Sequence, residues 1–195
     1  KSENISKMQI GKSQKCSMKK LNWIIKGKLN ENQTFKISKF IRLLKCWVYI
    51  VLYGNNLAKL AKLWGSDKAL VHNYIKHYNH HLSHLKKKKL QILEIGIGGY
   101  EREILGGNSL RMWKCYFTKS RIYGIDIYDK KFHDEARIKT FKGSQVDTTF
   151  LNEVINETGN MDIIIDDGSH YNEHVISTFK YLFPFLNNNG YYIIE

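Results

Sequence analysis

Met161-Asp-Ile-Ile-Ile-Asp-Asp-Gly-Ser-His170 is the stretch on which the fold turns. Three β-branched residues in a row, Ile163, Ile164 and Ile165, predict a short strand buried on both faces. Asp166 and Asp167 stand where that strand must end, Gly168 and Ser169 turn the chain, and His170 opens a helix. In open α/β sheets ligands bind beyond the carboxyl ends of strands. Half-buried carboxylates there are costly unless paired or metal-bound, so the acid pair points to a cation.

Working outward, the same alternation of short apolar runs and helical periods fills residues 90–195. Strands are predicted at 90–95, 121–127, 138–142, 162–165 and 190–195. Helices are predicted near 100–117, 147–157 (with Asp147 as cap) and 171–186. Strand alternating with helix at this spacing gives the fold class: α/β, a Rossmann-like, doubly wound parallel sheet. Residues 35–89 read as a helical N-terminal region. A helix over 35–63 is interrupted near Gly54-Asn55-Asn56, Gly65-Ser-Asp-Lys68 makes a turn with a cap, and a second helix covers 69–85. Residues 1–34 are polar, basic and aperiodic, and read as a disordered arm with one helical turn near 18–25.

Charge is divided between the two halves. Residues 1–89 carry 20 Lys and Arg against three acids, +17, whereas residues 90–195 carry 11 against 15, −4. A basic footprint for nucleic acid normally tracks the functional surface, and here it lies away from the acid pair. Nucleic acid is therefore a disfavoured partner. Cys16, Cys46 and Cys115 are an odd, widely spaced set, which argues against a disulfide framework or zinc site and for a reducing, cytoplasmic location. The most apolar run, 40–53, contains Arg42 and Lys45 and falls short of the roughly 20 residues a membrane span needs. Lys36, Lys39, Arg42 and Lys45 repeat every three residues, while Phe40, Ile41, Leu44, Trp47, Val48 and Val51 take the other helix face. Peripheral membrane contact over 35–53 fits that pattern. Packing of the apolar face on the domain or on a second subunit is preferred, since a basic face is commonly just solvated.

After the first strand comes Leu93-Glu-Ile-Gly-Ile-Gly-Gly99. Glycines at 96, 98 and 99 let backbone approach a ligand closely. A dinucleotide fingerprint would need glycine at 101, where Glu101 stands, and an acid about 20 residues on, whereas Asp126 follows Gly98 by 28. An acid-x-Gly-x-Gly turn led by Glu94 suits a cationic ligand better than a pyrophosphate, and Asp126 is placed to accept from a ribose diol. His77, His81 and His84 share one helix face, but no acid accompanies them and lysines crowd them, so they are not read as a metal site.

Glu94-x-Gly96-x-Gly98 with Asp126 resembles a class I S-adenosylmethionine-dependent methyltransferase. Gly106–Trp113, Tyr123–Lys130, Gly143–Asp147 and Asp166–His170, together and in that order, sharpen the resemblance to the metal-dependent sugar O-methyltransferases that modify macrolide antibiotics. The segment Gly65–His72, with Tyr74 and Tyr78, is also similar, so the likeness covers about 65–195 and leaves 1–64 outside it. The resemblance implies a class I methyltransferase domain over 90–195. It implies S-adenosylmethionine (SAM) held by Leu93, Glu94, Ile95, Gly96, Ile97, Gly98 and Gly99, with Asp126 on the ribose, Ser144 and Gln145 near the adenine, and Ser66 and Ser109 as further contacts. Asp166 would orient a ligand or the cofactor's ammonium. Asp167 and Glu195 would ligate Mg²⁺, and His170 would be the general base. The family carries a Glu-Asp pair after the fifth strand and two further strands; here Glu195 ends the chain. A sheet truncated after its fifth strand, a fragment weak in metal binding and inactive by itself, is the expectation.

The expected function is SAM-dependent, Mg²⁺-assisted O-methylation of a sugar hydroxyl on a small glycoside or polysaccharide, with a homo-oligomer as a possible assembly. Two alternatives stand beside it: a nucleic-acid methyltransferase using the basic N-terminal half, and a non-catalytic SAM-binding module.

Overall fold

In the computed structural model, which describes residues 31–70 and 74–195, five strands form one parallel sheet in the order β3-β2-β1-β4-β5. They are β1 (Gln91–Ile95), β2 (Arg121–Asp126), β3 (Ile138–Lys142), β4 (Met161–Asp166) and β5 (Leu186–Ile194). The chain starts in the middle, winds outward through β2 and β3, then returns to β4 on the other side of β1. The strand order therefore reverses between β1 and β4, the place where doubly wound sheets open a crevice. The fold is the Rossmann-like one that the alternation predicts.

The helices are α1 (Glu31–Tyr53), α2 (Leu57–Trp64), α3 (Asp67–Leu70), α4 (Ile75–Leu82), α5 (Asn108–Tyr116), α6 (Thr148–Thr158) and α7 (Asn172–Leu182). The described residues fall into two units, one ending at Leu43 and the other running Leu44–Glu195. The second unit holds the sheet. Its two faces carry separate cores: Ile92, Ile163 and Ile165 join Leu57, Leu60, Tyr78 and Trp113 on one side, while Leu93, Ile95 and Ile164 join Leu151, Val154 and Leu182 on the other. Side chains alternate faces along a strand, so the apolar residues of β1 and β4 supply both cores, with Glu94 as the one acid buried within β1. Helices α2 and α4 thus share a core with the sheet, and no boundary separates residue 89 from residue 90.

Several local expectations hold for identifiable reasons. The expected break near 54–56 falls where Asn56 caps α2 through Lys59 N (2.9 Å), and Asp147, the expected cap, holds α6 through Thr149 N (3.0 Å) and Phe150 N (3.1 Å). Others shift. Residues 31–34, assigned to the arm, are already helical in α1; the rest of the arm, its helical turn at 18–25 and His72 lie outside the described residues. The single helix expected over 69–85 is instead α3, α4 and a 3₁₀ turn at Ser83–Leu85, with 71–73 not described. The helix expected from residue 100 begins at Asn108, because 100–107 is a loop held from inside by buried Lys130, which donates to the carbonyls of Tyr100 (2.6 Å) and Arg102 (3.0 Å). Strand β5 starts four residues before the expected 190. Asn187 to Gly190 look like a turn, but Asn189 adopts positive φ at an irregular register and Asn187 donates to Asp162 Oδ1 (2.8 Å).

The packing face of α1 is also not the one expected. Cys46, Tyr49, Ile50 and Tyr53, spaced i, i+3, i+4, i+7, meet the core, whereas Leu44, Trp47, Val48 and Val51 are exposed, Trp47 by 65%. From Cys46 to Tyr53 the helix is apolar all round, so the sequence alone leaves the orientation of these last turns open. Among the described residues no helix is long and apolar enough to cross a membrane.

Candidate active site

The ends of β1, β2, β3 and β4 surround a cleft of about 870 Å³. Of the residues expected to hold a cofactor, Ser66, Ile95, Gly96, Ile97, Gly98, Gly99, Ser109, Asp126, Ser144 and Gln145 line it, together with Asp167 and His170. The ladder carries its hydrogen bonds past the strand ends and so fixes this rim: Gly96 N donates to Ile125 O (2.8 Å), Asp167 N to Ile95 O (2.9 Å) and Glu195 N to Asp166 O (3.0 Å). Gly96 has φ +87°, and a Cβ there would lie 2.0 Å from the Asp167 carbonyl oxygen. Only glycine lets the β1 turn lie against the β4 turn. Gly98, at φ +76°, faces open space on the cleft side.

Asp126 accepts from Ile97 N (3.0 Å) and Tyr128 N (2.9 Å), so its carboxylate is fixed at the end of β2 with lone pairs to spare for a diol. Ser66 lines the cleft, and its buried Oγ has no hydrogen-bond partner among the described residues, which leaves it free for a ligand. The structure places three of the expected cofactor residues elsewhere. Leu93 points into the apolar core on the far face. Asp166, one residue out of phase with Asp167, also turns to that face. It accepts from Gly168 N (3.2 Å) and, at 3.4 Å, from Gln145 Nε2. Burial raises its pKa against those hydrogen bonds. Gln145 touches the cleft, yet its side chain is committed to the turn: Oε1 accepts from Ser169 N (2.8 Å) and Nε2 donates to Thr178 Oγ1 (3.1 Å). Glu94 is the third, and it belongs to a different assembly.

Period-two alternation puts Glu94, Asp167 and Glu195 on one face of β1, β4 and β5, the face covered by α2 to α4. All three converge on one side chain. Lys68, 1% exposed, places Nζ 2.6 Å from Asp167 Oδ2, 2.7 Å from Glu195 Oε1 and 3.2 Å from Glu94 Oε1. Tyr78 OH donates to the same Glu195 oxygen. Burial opposes the charge on Lys68, but the three carboxylates outweigh it and raise its pKa. Glu94 is fully buried and neither oxygen accepts a well-formed hydrogen bond. Burial pushes its pKa up to about 7 despite Lys68. Burial likewise raises that of Glu195, with Lys68 and Tyr78 opposing.

Three acids against one ammonium leave this cluster two positive charges short. Hard carboxylate oxygens from adjacent strand ends, short by two charges, are a donor set that fits a magnesium-like cation. Asp167 and Glu195 are thus brought together as expected. The position between them is taken by Lys68, and among the described residues no three His, Cys, Asp or Glu side chains converge on an open point.

His170 stands at the cleft edge, 59% exposed at φ +58°, with Nε2 3.6 Å from Asp167 Oδ1. His174, which the sequence reading passed over, also lines the cleft and contacts Ser169 Oγ through Nδ1 (2.9 Å), bracing the turn that carries His170. Its position one turn into α7, four residues after His170, was the available signal. Lys68 was visible only as part of the Gly65–His72 resemblance.

No family model matches the chain. The chain is 44% identical over 139 residues to 8-demethyl-8-alpha-L-rhamnosyl tetracenomycin-C 2'-O-methyltransferase of Streptomyces olivaceus, covering 71% of this chain and 37% of that protein. It is 43% identical over 141 residues to mycinamicin VI 2''-O-methyltransferase of Micromonospora griseorubida, covering 72% and 35%. Among solved structures it resembles the MycE methyltransferase of the mycinamycin biosynthetic pathway, in complex with Mg, SAH and mycinamycin VI. The TM-score is 0.70 at 42% identity, over 72% of this chain and 38% of that one. The chain therefore spans little more than a third of the length of the relatives it matches.

Proposed function

Taking the chain as a homologue of these sugar O-methyltransferases, we propose that the complete protein methylates a sugar hydroxyl of a glycoside, using SAM and a magnesium ion. The observation that carries this reading is the 44% identity to an enzyme named for methylating a rhamnosyl 2'-oxygen, over a stretch long enough to take in most of the described second unit. A polysaccharide sugar is the less supported acceptor, since the named relatives act on small glycosides. A cytoplasmic site of action is part of the proposal, and the buried free thiols of Cys46 and Cys115 accord with it.

Bound SAM supplies an electrophilic methyl group on a sulfonium, and the metal lowers the pKa of the acceptor hydroxyl. The chain's own residues supply the rest. Gly96 to Gly99 would present backbone to the methionine portion, Asp126 would accept from the ribose hydroxyls, and Ser66 would give a further contact. Asp167 and Glu195 would hold the cation from neighbouring strands. His170, with Nε2 toward Asp167, keeps Nδ1 for the proton of the acceptor hydroxyl, and Asp167 Oδ1 stabilises the imidazolium that results. With SAM bound, the sulfonium would supply the methyl to the acceptor oxygen and become a neutral thioether, and His170 would take the proton that this oxygen gives up.

The test is incubation of the complete protein with SAM, MgCl₂ and a deoxysugar glycoside, with RNA as a parallel acceptor, read by mass spectrometry. A methylated sugar that disappears with chelator is expected. Transfer to RNA, or cofactor binding with no transfer to any glycoside, would overturn the proposal in favour of the nucleic-acid or binding-module reading.

A further inference from the structure

The ammonium of Lys68 sits where the reading above puts a metal ion. A buried lysine whose only task was neutralising carboxylates would be matched to them in number; here three acids share one base, and Glu94 is the least satisfied. The distances are graded. Nζ lies close to Asp167 and Glu195, and farther, at 3.2 Å, from Glu94, whose other polar neighbour is Ser109. We propose that Lys68 is an exchangeable counter-ion: its ammonium and a divalent cation compete for the gap between Asp167 and Glu195, and when the divalent cation takes that gap the ammonium is held by Glu94.

The inference rests on the reading of Asp167 and Glu195 as metal ligands. Its support is charge balance. A divalent cation with Asp167 and Glu195 is neutral, and Lys68 with Glu94 is neutral, so with all three acids ionised the exchange turns a buried cluster of net charge −2 into two balanced groups. Glu94 needs no large rearrangement to receive the ammonium, because the two already touch. Lys68 also belongs to the short helix that follows Gly65 and Ser66, both on the cleft wall.

The sign of one measurement separates this from a purely structural pin. Mn²⁺ binding to the complete protein is titrated by the electron paramagnetic resonance of the free ion, in wild type, Lys68→Met and Glu94→Gln, with folding checked by circular dichroism. Removing a competing cation should tighten Mn²⁺ binding by about tenfold or more in Lys68→Met. Glu94→Gln removes the place to which the ammonium withdraws, so Mn²⁺ binding should weaken severalfold although residue 94 does not touch the ion. A pin would give the opposite for Lys68→Met, since loosened carboxylates bind metal less well. If wild type binds Mn²⁺ and Lys68→Met binds it no tighter, the exchange falls and the functional reading stands. If no protein binds Mn²⁺, the exchange and the metal part of that reading fall together, and calorimetry with SAM decides the rest. Should Lys68→Met not fold, Glu94→Gln decides: weaker binding supports the exchange, unchanged or tighter binding overturns it.

Discussion

The turns that follow β1 and β4 lie against each other and are built on opposite principles. After β1 the chain offers backbone: Gly96, Gly98 and Gly99 all take positive φ and expose peptide groups to the cleft. After β4 it offers side chains: Asp167 and His170 face the cleft, with Asp166 and Gln145 braced beneath them. A glycine turn recognises by shape and carries no charge of its own. A turn of acid and imidazole holds cations and moves protons. Under the proposed function, binding and chemistry divide between neighbouring strand ends, and substitutions should separate them.

The widest separation is expected from His170→Ala. If the β4 turn does chemistry alone, turnover should fall by about 10²- to 10⁴-fold, the usual worth of a positioned base, while calorimetry shows unchanged SAM affinity. The side chain is more than half exposed, so stability should hold. Turnover like that of wild type would remove the base from this turn, and loss of cofactor binding would break the division itself.

Gly96→Ala attacks the contact between the turns. The new methyl would meet the Asp167 carbonyl at 2.0 Å and sit at φ +87°, so one turn must move. A loss on the order of 3 kcal/mol is expected in denaturant unfolding, with both SAM and Mn²⁺ binding impaired because the carboxylate shifts as well. An effect on SAM alone would show that the turns are independent.

These two turns also differ in how far the sequence disclosed them. The glycine turn is local: three glycines after an apolar run state their conformation within seven residues. The β4 turn was half legible. Its acids and histidine were plain, but which acid faced the cleft depended on the pleat, and the register that sends Asp166 to the far face and Asp167 to the near one is a property of the sheet. Lys68 was hidden for a different reason. It lies 99 residues before Asp167 and 127 before Glu195, and one lysine in a lysine-rich chain carries no sign of being buried. Long-range convergence of charge is decided by topology. For the same reason the order of strands and helices was readable, whereas the face that α1 turns to the core was not.

Gly98→Ala is the milder probe of the first turn. Its Cβ meets nothing within 4 Å, so only the backbone at φ +76° resists, at about 1 kcal/mol. The methyl would project into the cleft, so SAM affinity should fall while Mn²⁺ affinity is kept. Equal loss of both would mean that the glycine serves the fold rather than the ligand.

The smallest effect concerns Glu94, which leads the first turn in sequence but serves the second in space. Burial, opposed by Lys68, raises its carboxyl from an ordinary 4.5 to about 7. The folded protein then holds this proton more tightly than the unfolded chain does. The stability it contributes is full below about 4.5 and is lost as pH rises through about 7. In chelator, the thermal midpoint of wild type should therefore decline across that window more steeply than that of Glu94→Gln, which cannot titrate there. Saturating Mn²⁺ should flatten the wild-type curve, since added positive charge nearby favours the ionised form. A midpoint rising with pH relative to Glu94→Gln would mean that Lys68 already satisfies Glu94. The acid at the head of the glycine turn would then belong to neither the metal nor its exchange.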